Sequence, residues 1–384
     1  MISLMWKLSN RKNMWKNKRD NAESKKISNG VKILFVNPFG IGDVLFTTPL
    51  IKPLKEKGNS IYYWCNERVV DILKYNRAID AIFALSRGDL KKVFKISTCQ
   101  AFKRAIDLIK KIKKERFDIA FDFSLDYRYS LILKILGVKK ILGFDYKGKG
   151  RFLTDKIKIK CFDTMHMVNY YSMLLKFIDK KLEPDDKMEL FVGENEKVWA
   201  DELLRRSGID DNDILIGIAP GGGASWGEGA FRKHWPRENF AYVADGLITT
   251  DRYKIILFGS EKEENICNFI ACRMKKNLIN LCNRTSLGQF AAVLQRCKLL
   301  ITNDGGQLHM ASTLNIKTVS LFGPVDERVY GPYSSSKDHI IITGDVKCRP
   351  CYKNFRYPLC YNRVCLDSIE PSRVIEAVRA NLNY

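Results

Sequence analysis

The sequence predicts an α/β protein built from two doubly wound parallel sheets, and three observations carry that expectation. Short apolar runs of strand length alternate with longer stretches of helical periodicity, as in a parallel sheet covered on both faces. The alternation starts twice, at residues 31–37 and again at 214–219, and each start runs into a glycine-bearing turn, 38–43 and 220–225. A third junction completes the set: an apolar run at 298–302, the turn Asn303-Asp304-Gly305-Gly306, a helix from about Gln307, and a second apolar run at 318–322. These turns fall at the carboxyl ends of strands, where open α/β sheets bind their ligands.

Composition sets the outer bounds. A chain of 384 residues is long enough for two domains that each bury a core, and 46% hydrophobic with 28% charged residues is a globular balance. The longest apolar runs are strand-sized, so none spans a bilayer. The 65 Lys and Arg against 43 Asp and Glu give a formal charge of +22, which points to an anionic partner: a membrane surface, a phosphorylated acceptor, a nucleotide or a nucleic acid. A lysine-rich proteome accounts for part of that excess. Eleven cysteines in a sequence with no cleavable signal peptide point to thiols in a reducing compartment, the cytoplasm.

Taken in order, residues 1–30 form a basic tail interleaved with Trp6 and Trp15. It reads either as a segment resting on an anionic membrane or as a disordered tail. Strands at 31–37, 60–64, 81–85, 117–123 and 140–144, with helices at 44–57, 67–75, 101–115 and 129–136, make an amino domain of 31–187. Asp43 stands at or just before the first turn of its helix. It is either an N-cap or, facing a cleft, a general base within reach of an acceptor hydroxyl. Gly42 beside it, Arg128 after the fourth strand, and Lys147 and Arg151 in a basic loop lie where an anionic acceptor could bind; solvated surface charge is the other reading. His166 faces the cleft or is a core or surface histidine.

Charged turns at 180–187 and 207–213 bracket a helix at 194–206 and place the junction with a second domain of 188–367. There Gly222, Gly223 and Ser225 belong to a loop whose amides can wrap a phosphate. Lys233 is a flexible phosphate cation, and Glu263 either holds a ribose diol or serves a helix dipole. Gly305 and Gly306 let the backbone approach a ligand, and the first-turn amides of the next helix are unpaired donors suited to a diphosphate. Asp304 would orient a hydroxyl-rich part of that ligand, with His309 offsetting its charge. A crossover with a capping Asp and a buried His is the alternative. Cys348, Cys351, Cys360 and Cys365 are spaced to hold a structural zinc, or are free thiols or a redox pair. A helix from Ser368, with Pro371 near its start, ends the chain.

Together these stretches resemble glycosyltransferase family 9, the ADP-heptose:lipopolysaccharide heptosyltransferases and their relatives. The carriers are VKILFVNPFGIGDVLFTTPLIKPLK, then IGIAPGGGAS with FRKHWPRENFAYVADGL, then NDGGQLHMASTLNIKTVSLFGP followed by GPY, with CRPC near the end. The resemblance implies a GT-B architecture, two Rossmann-like domains facing across a cleft. Donor binds the carboxyl domain, acceptor the amino domain, and the helix of residues 368–384 crosses back to the amino domain. It implies Asp43 as the base, with Lys233, Asp304, Gly306 and His309 on the nucleotide diphosphate sugar. The sequence departs from the family at Gly305, where Thr is usual, and in a long loop between Gly223 and Lys233; both bear on donor identity.

The expected activity is inverting, metal-independent transfer of a heptose from a nucleoside-diphosphate donor, ADP-heptose, with no cofactor. The acceptor is a lipopolysaccharide-core-like, anionic glycolipid at the inner face of the cytoplasmic membrane, where the enzyme sits peripherally. Alternatives are transfer from another nucleotide sugar and a non-catalytic nucleotide-sugar-binding protein on the same scaffold. A nucleic-acid binder is suggested by charge alone, without a recognisable module, so no nucleic acid is expected. An NAD-dependent oxidoreductase lacks its glycine fingerprint here.

Overall fold

A computed structural model of the chain describes residues 30–85, 98–210, 212–248, 253–274, 278–356, 360 and 362–382. The basic tail up to Asn29 lies outside the described residues. The first half runs β1 (Lys32–Asn37), α1 (Ile41–Leu45), α2 (Ile51–Glu56), β2 (Ser60–Cys65), α3 (Val70–Leu73), β3 (Ala81–Ala84), α4 (Thr98–Glu115), β4 (Ile119–Asp122), α5 (Tyr127–Ile135), β5 (Lys140–Tyr146), β6 (Asp155–Ile159) and α6 (Met167–Ser172). Its six strands pair in the order β3-β2-β1-β4-β5-β6, all parallel.

The second half runs α7 (Glu194–Arg206), β7 (Ile214–Ala219), α8 (Arg237–Leu247), β8 (Tyr253–Leu257), α9 (Glu264–Arg273), β9 (Leu278–Asn280), α10 (Leu287–Leu294), β10 (Leu299–Asn303) and α11 (Gly306–Thr313). It closes with β11 (Lys317–Phe322), α12 (Glu327–Tyr330), β12 (His339–Thr343), α13 (Val364–Asp367) and α14 (Pro371–Asn381). The strand order β12-β11-β10-β7-β8-β9, again all parallel, mirrors that of the first sheet.

The central strands read as unbroken apolar runs because both faces are covered. Ile33, Leu34, Phe35 and Val36 of β1 are fully buried. Phe35 lies across the sheet between Tyr63 and Phe121, with ring centroids 5.7 and 5.0 Å away. Leu34 and Val36 point to the opposite face, under Leu108 and Ile112 of α4 and Leu133 of α5.

The single helix expected over 44–57 is three pieces, α1, a 3-10 turn at Thr48–Leu50 and α2. Pro49 and Pro53 enforce this, since a proline without an N–H is tolerated only in a helix's first turn. Two edge strands, β6 and β12, are additions to the expected set. β6 alternates half-buried and exposed side chains along Asp-Lys-Ile-Lys-Ile, as an edge strand does.

The last helix is a correction to the expected crossing. Val374 and Val378 of α14 are buried with Phe240, Val243 and Val319 in the core of the second half. α14 packs there on α8, where a Cβ on Gly246 would fall 2.7 Å from Ile375 Cδ1.

Candidate active site

In each sheet the chain leaves the central pair of strands in opposite directions, β1 and β4 in the first and β7 and β10 in the second, and a crevice opens past their carboxyl ends. α1 begins in one crevice and α11 in the other, and the two helix starts meet. A Cβ on Gly42 would lie 2.6 Å from His309 Cδ2, and one on Gly306 would lie 2.7 Å from the Ile41 Cβ. The two halves therefore approach through glycine on both sides.

Asp43 follows Gly42 in this contact. Its turn is held by Asn37, whose Nδ2 donates to the Asp43 carbonyl at 2.9 Å. The residue at the head of α1 is Gly40, with no side-chain cap, so Asp43 occupies the third helical position and is not the N-cap. Burial pushes its carboxyl up to about 6, against the lowering effects of the Gly40 backbone and the Lys233 charge, while Asp304 adds a further upward push. A carboxylate on the first half thus feels charges carried by the second.

Those charges form one buried pair. Lys233 Nζ donates to Asp304 Oδ2 at 2.5 Å, with side chains only 11% and 5% exposed, and the same ammonium lies 4.5 Å from the Trp226 ring centroid. The offset expected from His309 comes from Lys233 instead. Burial drives the His309 imidazole down to about 3, with His166 and Lys233 adding to the effect, so it is neutral. Its ring meets Phe46 edge-on at 4.6 Å, and its Nδ1 has no hydrogen-bond partner among the described residues.

Asn303 was not singled out by sequence reasoning, yet it fastens the phosphate-type loops together. Its Nδ2 donates to Pro220 O at 2.6 Å and Gly221 O at 3.0 Å, and its Oδ1 accepts from the Trp235 amide at 3.1 Å. Gly222 and Gly223 have φ of 132° and 69°, conformations that favour glycine. A Cβ on Gly222 would lie 3.0 Å from Asp304 O, and one on Gly305 would lie 3.3 Å from Gly222 Cα, so the two glycine loops lie back to back. The Ser225 side chain lies outside the described residues.

Glu263 stands beneath this loop. One carboxylate oxygen accepts from the Gly222 amide at 2.9 Å, and the other accepts from Ser260 N at 2.6 Å and Ser260 Oγ at 2.9 Å, closing a capping box. Its first task in the structure is to hold the loop.

Of the other candidates, His166 lies beside this contact, its ring 5.2 Å from that of Phe46, and the rest fall elsewhere. His166 joins the halves, with Nδ1 accepting from the Val168 amide at 3.2 Å, Nε2 at 3.0 Å from Gly331 O, and its ring 4.9 Å from that of Tyr333. Arg128 is paired with Asp126 at 2.5 Å and is 68% exposed. Arg151 lies 4.1 Å over the Tyr127 ring and Lys147 lies 4.9 Å over that of Tyr146. Of the three readings open for Cys348, Cys351, Cys360 and Cys365, zinc finds no support here: among the described residues no three or more His, Cys, Asp or Glu side chains gather as a metal site. Cys365 is buried in the second core while Cys348 is exposed, and all four thiols are free.

The sequence model of glycosyltransferase family 9 (heptosyltransferase) matches residues 105–360. A lipooligosaccharide heptosyltransferase 2 of Campylobacter jejuni is 27% identical over 353 residues, covering 91% of this chain and 98% of that relative. Among solved structures, a family 9 glycosyl transferase from Veillonella parvula superposes with a TM-score of 0.75 at 23% identity, covering 93% of this chain and 98% of that one. The ADP-heptose lipopolysaccharide heptosyltransferase II of E. coli superposes with a TM-score of 0.69 at 22% identity, covering 92% and 98%. The structural likenesses establish a shared fold.

Proposed function

Because the chain belongs to glycosyltransferase family 9, it is a glycosyltransferase of GT-B architecture, and we propose that it moves a heptose from ADP-heptose to a hydroxyl of a lipopolysaccharide-core-like glycolipid. The half of residues 31–187 takes the acceptor and the half of 188–367 takes the donor. The observation that carries the reading is the meeting of α1 and α11. It sets a raised carboxyl, Asp43, against the Lys233–Asp304 pair and the glycine loops of the opposite half. The names of the similar proteins support heptose as the sugar and ADP as its carrier.

The chemistry follows from that placement. Asp43 takes the proton of the acceptor hydroxyl as its oxygen attacks the anomeric carbon from the side opposite the leaving group, which inverts the centre. The C–O bond to the nucleoside diphosphate breaks, and the charge it gains is held by Lys233, the Gly223 amide and the first-turn amides of α11. Lys233 and these fixed dipoles supply what a divalent ion supplies elsewhere, so the transfer proceeds without one. Asp304 and His309, whose Nδ1 has no partner among the described residues, orient the donor. No described helix is long and apolar enough to cross a membrane, and the lipid acceptor places the protein peripherally on the inner face of the cytoplasmic membrane.

Transfer from a different nucleotide sugar is the second reading, favoured by Gly305, which leaves the diphosphate loop without a side-chain hydroxyl. Calorimetric titration with ADP, UDP, GDP and NAD in EDTA, repeated on Asp304→Ala, separates the two. ADP binding that survives EDTA and is lost in the variant supports the ADP donor. Preference for UDP or GDP changes the sugar, and no nucleotide binding at all removes the transferase mechanism.

A further inference from the structure

The outer layer of the first sheet is made by α4 and α5, which press Leu108, Ile112 and Leu133 into one apolar cluster and turn their other sides to solvent. On α4 that side carries Lys103, Arg104, Lys110, Lys111, Lys113 and Lys114, all exposed, against one exposed acid, Asp107. The remaining acid of the helix, Glu115, is engaged by Lys32 at 2.6 Å. Two exposed isoleucines belong to the same layer, Ile106 at 39% exposed among these cations on α4 and Ile135 at 73% on α5, beside exposed Lys134.

Like charges three and four residues apart repel along a helix. Lys110 stands in that relation to Lys113 and Lys114, and Lys111 to Lys114, while the single exposed acid Asp107, three or four residues from Lys103, Arg104, Lys110 and Lys111, offsets the face only in part. Lysine and arginine stems let ammonium and guanidinium groups reach lipid phosphates while apolar side chains enter the interface. The exposed isoleucines favour a bilayer over a nucleic acid, whose phosphates and base edges have no use for them. α5 also starts at the same carboxyl edge of the sheet as α1, so a bilayer lying along this layer meets the rim of the cleft that holds Asp43.

We propose that the α4–α5 face is the surface by which this protein docks on an anionic lipid bilayer. The proposal rests on the reading of the acceptor as a glycolipid, and it adds the part of the molecule that brings the cleft to it. The docking is reversible and electrostatic, with Ile106 and Ile135 as shallow anchors.

The test is co-sedimentation of the full chain with vesicles of phosphatidylglycerol and phosphatidylethanolamine, against vesicles of phosphatidylcholine, at several salt concentrations. Near such a surface each cation is worth about fivefold in partitioning, so Lys110→Gln/Lys111→Gln should lose about twentyfold. A charge-matched control at two exposed lysines of the second half, Lys337→Gln/Lys347→Gln, should lose less than about twofold. Ile135→Asp should weaken binding further at salt high enough to screen the lysines. Equal losses in the two double variants would show general charge attraction and overturn the proposal, as would no loss in either, which assigns binding to the amino-terminal tail. Wild type that binds single-stranded RNA but not the anionic vesicles overturns it in favour of a nucleic-acid partner. Turnover on a soluble acceptor needs no vesicle, so failure here leaves the transferase reading standing, and failure of turnover leaves the vesicle result interpretable.

Discussion

Asp43→Asn keeps the outline of the side chain and removes its charge, and the structure gives that change two opposite consequences. Burial raises the carboxyl from 3.8 to about 6, and a shift of one unit corresponds to about 1.4 kcal/mol. An ionised Asp43 therefore costs the fold about 3 kcal/mol once it is fully charged. Below 3.8 the group is protonated in both folded and unfolded chains, and nothing is lost. Between 3.8 and about 6 the unfolded chain ionises first and the cost builds; above about 6 it is complete. Asparagine carries none of this. The variant should gain about 2–3 kcal/mol at pH 8 and about half as much at pH 5, while kcat falls by about 10²–10⁴. Scanning calorimetry at both pH values reads the gain, as a rise of about 5–10 °C at pH 8 for the half concerned. A variant that melts no higher than wild type at pH 8, or gains equally at both pH values, refutes the claim that the site holds a carboxylate against its solvation. A fully active variant removes Asp43 as the base.

Three further outcomes follow from the same contacts. Lys233→Met leaves the Asp304 carboxylate buried without its partner, and should cost about 3–5 kcal/mol in denaturant unfolding and at least about tenfold in nucleotide affinity. Lys233→Met/Asp304→Leu should recover much of the stability and none of the affinity. Gly42→Ala places a Cβ 2.6 Å from the buried His309 ring, so kcat/KM should drop at least about tenfold as α1 and α11 are forced apart. Gly40→Ala, where a Cβ meets nothing within 4 Å, should keep near-normal rates. In wild type, kcat/KM should fall about tenfold per pH unit below about 6 as Asp43 takes up its proton.

The sheets were legible because their central strands are buried on both faces, so that Ile33 to Val36 reads as a strand without any knowledge of its neighbours. β6 escaped because its two isoleucines alternate with Lys156 and Lys158 and only one face is covered. The residues of the site were visible singly, each at the carboxyl end of a strand. Their pairing was not, because Lys233 and Asp304 lie 71 positions apart and meet only when β7 and β10 are neighbours. Asn303 was invisible for the same reason, since its amide acts on carbonyls 83 and 82 positions away. His309 stayed open between an offsetting cation and a buried imidazole because burial, which a sequence does not state, decides its charge. The valine stripe of α14 showed a buried face but not which half would cover it.

The arrangement of two acids around one lysine has a consequence for timing. Lys233 lowers Asp43 and Asp304 raises it, so the basicity of Asp43 is set by a balance across the cleft. A diphosphate engaging Lys233 brings negative charge of its own to that balance, and its effect on Asp43 has the sign of Asp304's. Closing water out of the cleft adds in the same direction, because desolvation is already the largest cause of the raised value. Asp43 should thus be a stronger base with donor bound than without it. The pH limb of kcat, which belongs to the complex, should lie above that of kcat/KM, which belongs to the free protein. A limb that stays in place or moves down on saturation would refute the engagement of Lys233 by the diphosphate.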